Sequence, residues 1–280
     1  MRADELLARY VDGERDFREI DIQGQDLSST HLESANFRLA NLSQVNLCGA
    51  NLQGTNLRES NLMGASMQGA DLREANLIGV CLRGADLRDA NMTGVSLRGA
   101  DLSDANLSGV KLVEANLNEA NLSRANLTGA NLSEANLSRS NFSAANLSEA
   151  FLTGANLTIA IFSQAILTKA NLSNAIICTT NMIGANLQEA NLTRAKVIGS
   201  NLMNVNLSQA NLRGANLSWS TLRSANLQGA NLYQVNLSWA NLCRAVLVEA
   251  VLINAKLYSA NLSETDLRKA IMPDGSTYKE

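Results

Sequence analysis

Few residues in this chain of 280 are placed to do chemistry. A Ser/His/Asp or Cys/His nucleophile needs a histidine beside it, and the single histidine, His31, stands near one end at a site where most neighbouring units carry Asn. A solvated substitute for Asn is its expected role. Cys48, Cys81, Cys178 and Cys243 are dispersed without CxxC spacing, which argues against a zinc or redox motif and predicts free thiols. A histidine-rich metal centre is excluded by count, and the acids are spaced regularly along the chain instead of converging on one site. "GVCLRG" at 79–84 has the glycine spacing of a phosphate loop, but Ala85 and Asp86 follow where Lys and Ser/Thr are required. The N-L-S and N-L-T triplets match a glycosylation signal for the same reason, a short period in the sequence. The expectation is a non-enzymatic protein with no cofactor and no metal.

What remains is chemistry of recognition, and the elements that must position it. Trp219 and Trp239 are the only tryptophans and lie twenty residues apart. The net charge is −3, yet residues 1–120 hold eighteen acids against eleven bases and residues 121–280 hold eight against twelve. No apolar run approaches the roughly 20 residues that span a bilayer, and "MRADELLARYVDGERD" lacks the apolar stretch of a signal peptide. A cytoplasmic protein without membrane contact is expected.

A five-residue period positions everything else. From Phe17 to Met272 every fifth residue is large and apolar, 52 positions of which 41 are leucine. Two residues before each, from Thr30 to Ala270, stands a small residue, alanine at 35 of 49 positions, so the unit reads A-N-L-x-x. Sixteen of the eighteen glycines fall at its last position. Leucines five apart on a helix would be displaced by about 140° each and form no stripe. On a straight strand they would alternate between faces. Both objections vanish if A-N-L-x is a short extended piece followed by a corner that resets the phase, a place suited to glycine.

Spacing also gives the length of one coil. Phe17/Phe37, Phe142/Phe162 and Trp219/Trp239 are each twenty apart. Charged residues at the glycine position make opposite pairs at that distance: Asp104/Arg124, Glu119/Arg139, Glu149/Lys169, Lys169/Glu189, Arg244/Glu264 and Glu249/Lys269, against one like pair, Glu114/Glu134. Pairs fifteen apart, such as Glu59/Glu74, are like-charged. Opposite charges attract across a ladder, so four units per coil and about thirteen coils of twenty residues are predicted.

The segment "ANLSEANLSRSNFSAANLSEA" resembles the pentapeptide-repeat proteins, and the likeness runs without a gap over residues 16–272. The ends, "LLARYVDGERDFREIDIQGQDL" and "KAIMPDGS", are similar to cyanobacterial members. The resemblance implies an all-β fold, a right-handed quadrilateral parallel β-helix, which agrees with the coil deduced above and with the handedness of parallel crossovers. A helical cap is expected over residues 1–13, with a helix from Ala3 to Asp12 burying Leu6, Leu7, Tyr10 and Val11 and ending at Gly13. The solenoid then occupies residues 14–272, and 273–280 form a C-terminal cap in which Pro273 stops the ladder.

The family also implies two functions. One is a protein-binding scaffold of regulatory kind; the other is inhibition or protection of a type II topoisomerase by resembling DNA. Thirteen coils at about 4.8 Å span roughly 62 Å, and B-DNA of that length carries about 36 phosphate charges. A net charge of −3 falls far short, and only the acidic end around Asp16, Asp21 and Asp26 could imitate a short duplex. Bases alternate with acids, so no direct nucleic-acid contact is expected. Assigning four sides by residue number modulo twenty places Ile159, Ile176, Cys178, Ile198, Trp219, Trp239 and Tyr258 on one side, the candidate protein-binding face, with Lys196 and Lys256 beside them. Exposed aromatics with cationic neighbours suit an interface anchor, for an unidentified partner or for a weak homodimer. The same positions nearer the N-terminus form a basic stripe of Arg18, Arg38, Arg58 and Arg98, suited to an acidic partner unless adjacent Glu19 and Glu59 neutralise it.

Overall fold

The computed structural model describes residues 1–278, in two compact units, Met1–Asn141 and Phe142–Glu280. Each unit is a β-solenoid built from the same local geometry. The Asn-type residue of each pentapeptide makes a parallel bridge to the residue twenty further on, as in Asn36↔Asn56 in the first unit and Asn186↔Asn206 in the second. The extended pieces are shorter than the sequence suggests, since every bridge is a single residue and no longer strand occurs among the described residues. The reason is the corner. In all 51 pentapeptides from Glu19 to Lys269 the second residue after the leucine has a positive φ, and only sixteen of these are glycine. Its neighbour's amide usually bonds back to the leucine carbonyl, as Ala240 does to Leu237 at 3.0 Å. A left-handed residue at the third position of a closed four-residue turn is the type II requirement, and one such turn every five residues leaves no room for a long strand.

Leucine and alanine, two apart on the bridge segment, point to the same side, and both columns are buried almost completely. The phenylalanines stack inside as their spacing predicts, Phe17 on Phe37 with centroids 5.6 Å apart and Phe142 on Phe162 at 4.6 Å. Between Ala and Leu the Asn side chain performs two tasks. Its Oδ1 accepts from the amide two residues on, and its Nδ2 donates to the residue twenty before, as Asn206 accepts from Ser208 at 3.1 Å and donates to Asn186 at 3.0 Å. Aspartate can only accept when ionised. Asp21 and Asp26 fit that limit, because they begin the ladder and receive Nδ2 of Asn41 and Asn46.

Helix α1 (Ala3–Val11) covers the start of the first unit. Leu6 is wholly buried, Tyr10 donates its hydroxyl to the Glu33 carbonyl at 3.0 Å, and the Ala3 amide bonds Gln25 Oε1. Val11, expected inside, is 83% exposed, because the helix ends there and Asp12 already has cap geometry, one residue earlier than predicted. At the other end the ladder does not stop at Pro273, whose carbonyl still accepts from the Asn254 amide. The chain instead folds back, pairing Ile271 with Thr277 antiparallel, through a turn in which the Asp274 carboxylate holds Ser276. Residues 279–280 of the expected cap lie outside the described residues.

Candidate protein interface

The expected interface residues fall on both sides of the unit boundary. Those from Ile159 to Tyr258 belong to the second unit and the arginine stripe to the first. In the second unit a continuous bridge column runs Asn156↔Ile176↔Lys196↔Asn216↔Asn236↔Lys256. It sets Ile176 and Lys196 before, and Lys256 after, the two asparagines that Trp219 and Trp239 follow by three residues. The corners lie beside it, with backbone bonds from Ile159 to Cys178, from Thr179 to Ile198 and from Trp239 to Tyr258.

The tryptophans point outward, 63% and 47% exposed, and their rings stack at 5.0 Å with planes 4° apart. Tyr258, 70% exposed, meets Trp239 edge-on at 5.4 Å. Such contacts are worth about 0.5–1.5 kcal/mol each beyond area, so the stack both orders the corner and leaves indole faces open. Ile159 is exposed as well, whereas Ile176, Cys178 and Ile198 are half-buried. Lys196 and Lys256 are exposed and make neither an ion pair nor a cation–π contact among the described residues.

Backbone conformation sets this column apart. The non-glycine residues at left-handed corners are mostly Glu, Ser, Gln, Asn, Asp, Arg and Lys. The exceptions larger than alanine are Leu39 in the first unit and Ile159, Thr179, Trp219 and Trp239 in the second, all equivalent modulo twenty. A side chain there crowds the following carbonyl at a cost of about 1–2 kcal/mol, and β-branched residues fit worst. Both β-branched cases, Ile159 (φ 62°) and Thr179 (φ 53°), lie in this one column.

Beneath it runs a ladder of buried hydroxyls that the sequence reading missed. Thr180, Ser200 and Ser220 replace the inward alanine. Their hydroxyls donate to the carbonyls of Leu157, Ile177 and Val197. The amides of Thr180 and Ser200 donate to the hydroxyls of Ser200 and Ser220 at 3.1 Å, in place of the usual bond back to the leucine-type carbonyl. The signal was available as three hydroxyl residues twenty apart, each directly after a corner of the tryptophan column.

The arginine stripe is less free than its sequence implies. Arg18 pairs with Asp16 at 2.7 Å, not with Glu19, while Arg38 and Arg58 share Glu59 at 3.4 and 2.9 Å. Arg98 alone makes no ion pair among the described residues. The Arg18 geometry recurs in the triplet D-L-R at Asp71/Arg73, Asp86/Arg88 and Asp266/Arg268, where the guanidinium reaches back to the bridge-position carboxylate. This hydrogen bond holds the Asp16, Asp71 and Asp266 carboxyls below their usual range. His31, exposed, lies 3.1 Å from Glu33, and no group of histidines, cysteines and acids suited to a metal ion occurs among the described residues.

The family model for pentapeptide repeats matches residues 16–174 and 180–272 in overlapping segments. No curated protein matches the chain. Among solved structures the chain is similar to HetL, a pentapeptide repeat protein involved in heterocyst differentiation regulation from the cyanobacterium Nostoc sp. strain PCC 7120. The identity is 33% over 99% of this chain and 100% of that one, with a TM-score of 0.35. A second pentapeptide repeat protein from Nostoc is 32% identical over 43% of this chain and 80% of its own, with a TM-score of 0.29. QnrB1, a plasmid-mediated fluoroquinolone resistance protein, is 19% identical over 73% of this chain and 90% of its own, at a TM-score of 0.38.

Proposed function

Because the chain belongs to the pentapeptide-repeat family, we propose that it is a non-enzymatic scaffold that binds a protein through the Trp219–Trp239 face, and that a regulatory role in the cytoplasm follows from that binding. The fold reading that goes with it is a right-handed, four-sided helix of about thirteen coils, capped by residues 1–13 and 273–280 around a solenoid of 14–272. Parallel bridges between residues twenty apart support it, as does the family.

The observation that carries the function is the concentration of large apolar and β-branched side chains at the left-handed corners of one column. Ile159, Thr179, Trp219 and Trp239 occupy positive-φ positions that, apart from Leu39, glycine, alanine or a polar or charged residue fills elsewhere. The aromatic stack offsets part of the conformational cost, yet exposed Ile and Trp leave apolar surface in water, which marks a binding site. The open indole faces and Tyr258 supply the apolar anchor, and Lys196 and Lys256 a cationic margin, which is the composition of a binding hot spot. A weak homodimer through this face is the self-association form of the same reading. Ion pairs at Arg18, Arg38 and Arg58 leave the stripe outside the proposed surface. The topoisomerase alternative draws no support from the charge, a net −3 with opposite pairs laddered along both units.

The test is affinity capture from cells that make the protein, with Trp219→Ser/Trp239→Ser as the control. Serine occupies the same conformation at Ser224 and Ser259, so the variant should fold, its melting temperature lowered only by the loss of the ring contacts. The proposal expects a partner retained by the parent at least tenfold better than by the variant. Equal retention by a folded variant contradicts it.

A further inference from the structure

A second surface of the Phe142–Glu280 unit departs from the opposite-charge pattern that most ladder pairs follow. The amide of each corner residue donates to the carbonyl of the residue nineteen further on. Where both are charged, they are opposite in sign at Glu19/Arg38 and Glu249/Arg268. Arg194 and Arg213 are joined by the same bond, at 2.9 Å, and carry like charges. Like charges on neighbouring rungs destabilise, and nothing nearby relieves them. Neither guanidinium makes an ion pair or a hydrogen bond among the described residues. Their columns carry no acid between Phe151 and Asn254.

The space around this pair has two compartments. Arg194, Arg213, Thr193 and Gln234 line a cleft of about 160 Å³. Arg213 also lies over the Tyr233 ring, 5.2 Å from its centroid, which orients its guanidinium plane. Arg213 also lines a second, shallower hollow of about 370 Å³ with Asn231, Tyr233 and Val251, the last two half-buried. A cleft lined by two arginines thus shares Arg213 with a largely apolar hollow.

We propose that this double cleft binds a peptide segment of a partner protein in which a carboxylate side chain sits between Arg194 and Arg213 and a neighbouring apolar side chain fills the hollow over Tyr233 and Val251. Guanidinium groups engage carboxylates through paired N–H donors, and the missing acid of the ladder is the charge that such a peptide brings. The site shares no residue with the tryptophan face, so it stands whether or not that face binds a partner.

The experiment is selection of a random-peptide display library on the intact protein, with Arg194→Gln/Arg213→Gln as the negative target. Glutamine already occupies the left-handed corner at Gln209 and Gln234, and a cooperative melt at or above the parent's temperature establishes that the variant is folded. The enriched peptides should carry Asp or Glu within one or two residues of Leu, Phe or another large apolar residue. A fluorescein-labelled copy of the enriched sequence should bind the parent at least tenfold more tightly than the variant. Changing its acid to the amide should cost a similar factor, and Trp219→Ser/Trp239→Ser should leave its binding unchanged. No enriched pattern, a pattern indifferent to the arginines, or retention of a labelled single-stranded oligonucleotide by these arginines in place of any peptide overturns the proposal.

Discussion

At the scale of single residues, the left-handed corner is where sequence choice and stability conflict most openly. Ile159 pays the conformational cost at φ 62° while burying only about half its surface. Asparagine tolerates that region, so Ile159→Asn should be neutral or stabilise by up to about 1 kcal/mol. A loss of stability in chemical denaturation would mean that Ile159 is needed for packing. Acid behaviour also belongs at this scale. Hydrogen bonds from arginine depress the carboxyls of Asp16, Asp71, Asp104 and Asp266. A depressed carboxyl favours the folded state at pH above its unfolded value, about 3.9, and that contribution is lost as pH falls through the lower folded value. The melting temperature should therefore stay level from about pH 8 to 5 and fall below about pH 4. In Arg124→Gln, which releases Asp104, the acid slope should be shallower; an unchanged slope would show that this pair contributes nothing.

At the scale of elements, the ladders show what was legible in the sequence and what was not. Period five placed the Leu and Ala columns and the Phe17/Phe37 stack, because an inward position has one requirement, apolar volume, that residue type states directly. Five of the six opposite charge pairs twenty apart are within 4.0 Å, among them Asp104/Arg124 and Arg244/Glu264 at 2.7 Å. Lys169 pairs only with Glu189 and not with Glu149, since one ammonium between two acids reaches one of them. The D-L-R pairs and the Thr180–Ser200–Ser220 ladder escaped because they depend on where a side chain turns after its position is fixed. The strain of the tryptophan column escaped for a different reason: φ at Ile159 follows from its place in the turn, whatever residue stands there. These pairs are exposed, so Lys169→Glu, which sets three acids in one column, should cost no more than about 1 kcal/mol. That loss should appear at low salt and mostly disappear at 1 M salt, where the Debye length is about 3 Å. A loss that persists at high salt would mean that Lys169 acts through packing.

At the scale of the whole molecule, the titratable groups are dispersed and the proposed recognition surfaces are concentrated. The lone histidine and the separated thiols are dispersed along the chain, whereas the second unit carries the aromatic column and Arg194 and Arg213, which make no ion pair among the described residues, within a hundred residues of chain. Both tryptophans of the protein lie in the proposed interface, which makes intrinsic fluorescence a direct reporter of the central claim. Free protein should emit at the long wavelengths of exposed indole and be readily quenched by acrylamide. On adding the captured partner, or on raising protein concentration if the partner is a second copy, emission should shift to shorter wavelength and quenching should fall severalfold. A partner that binds while both indoles remain as open to acrylamide as in the free protein would contradict the account.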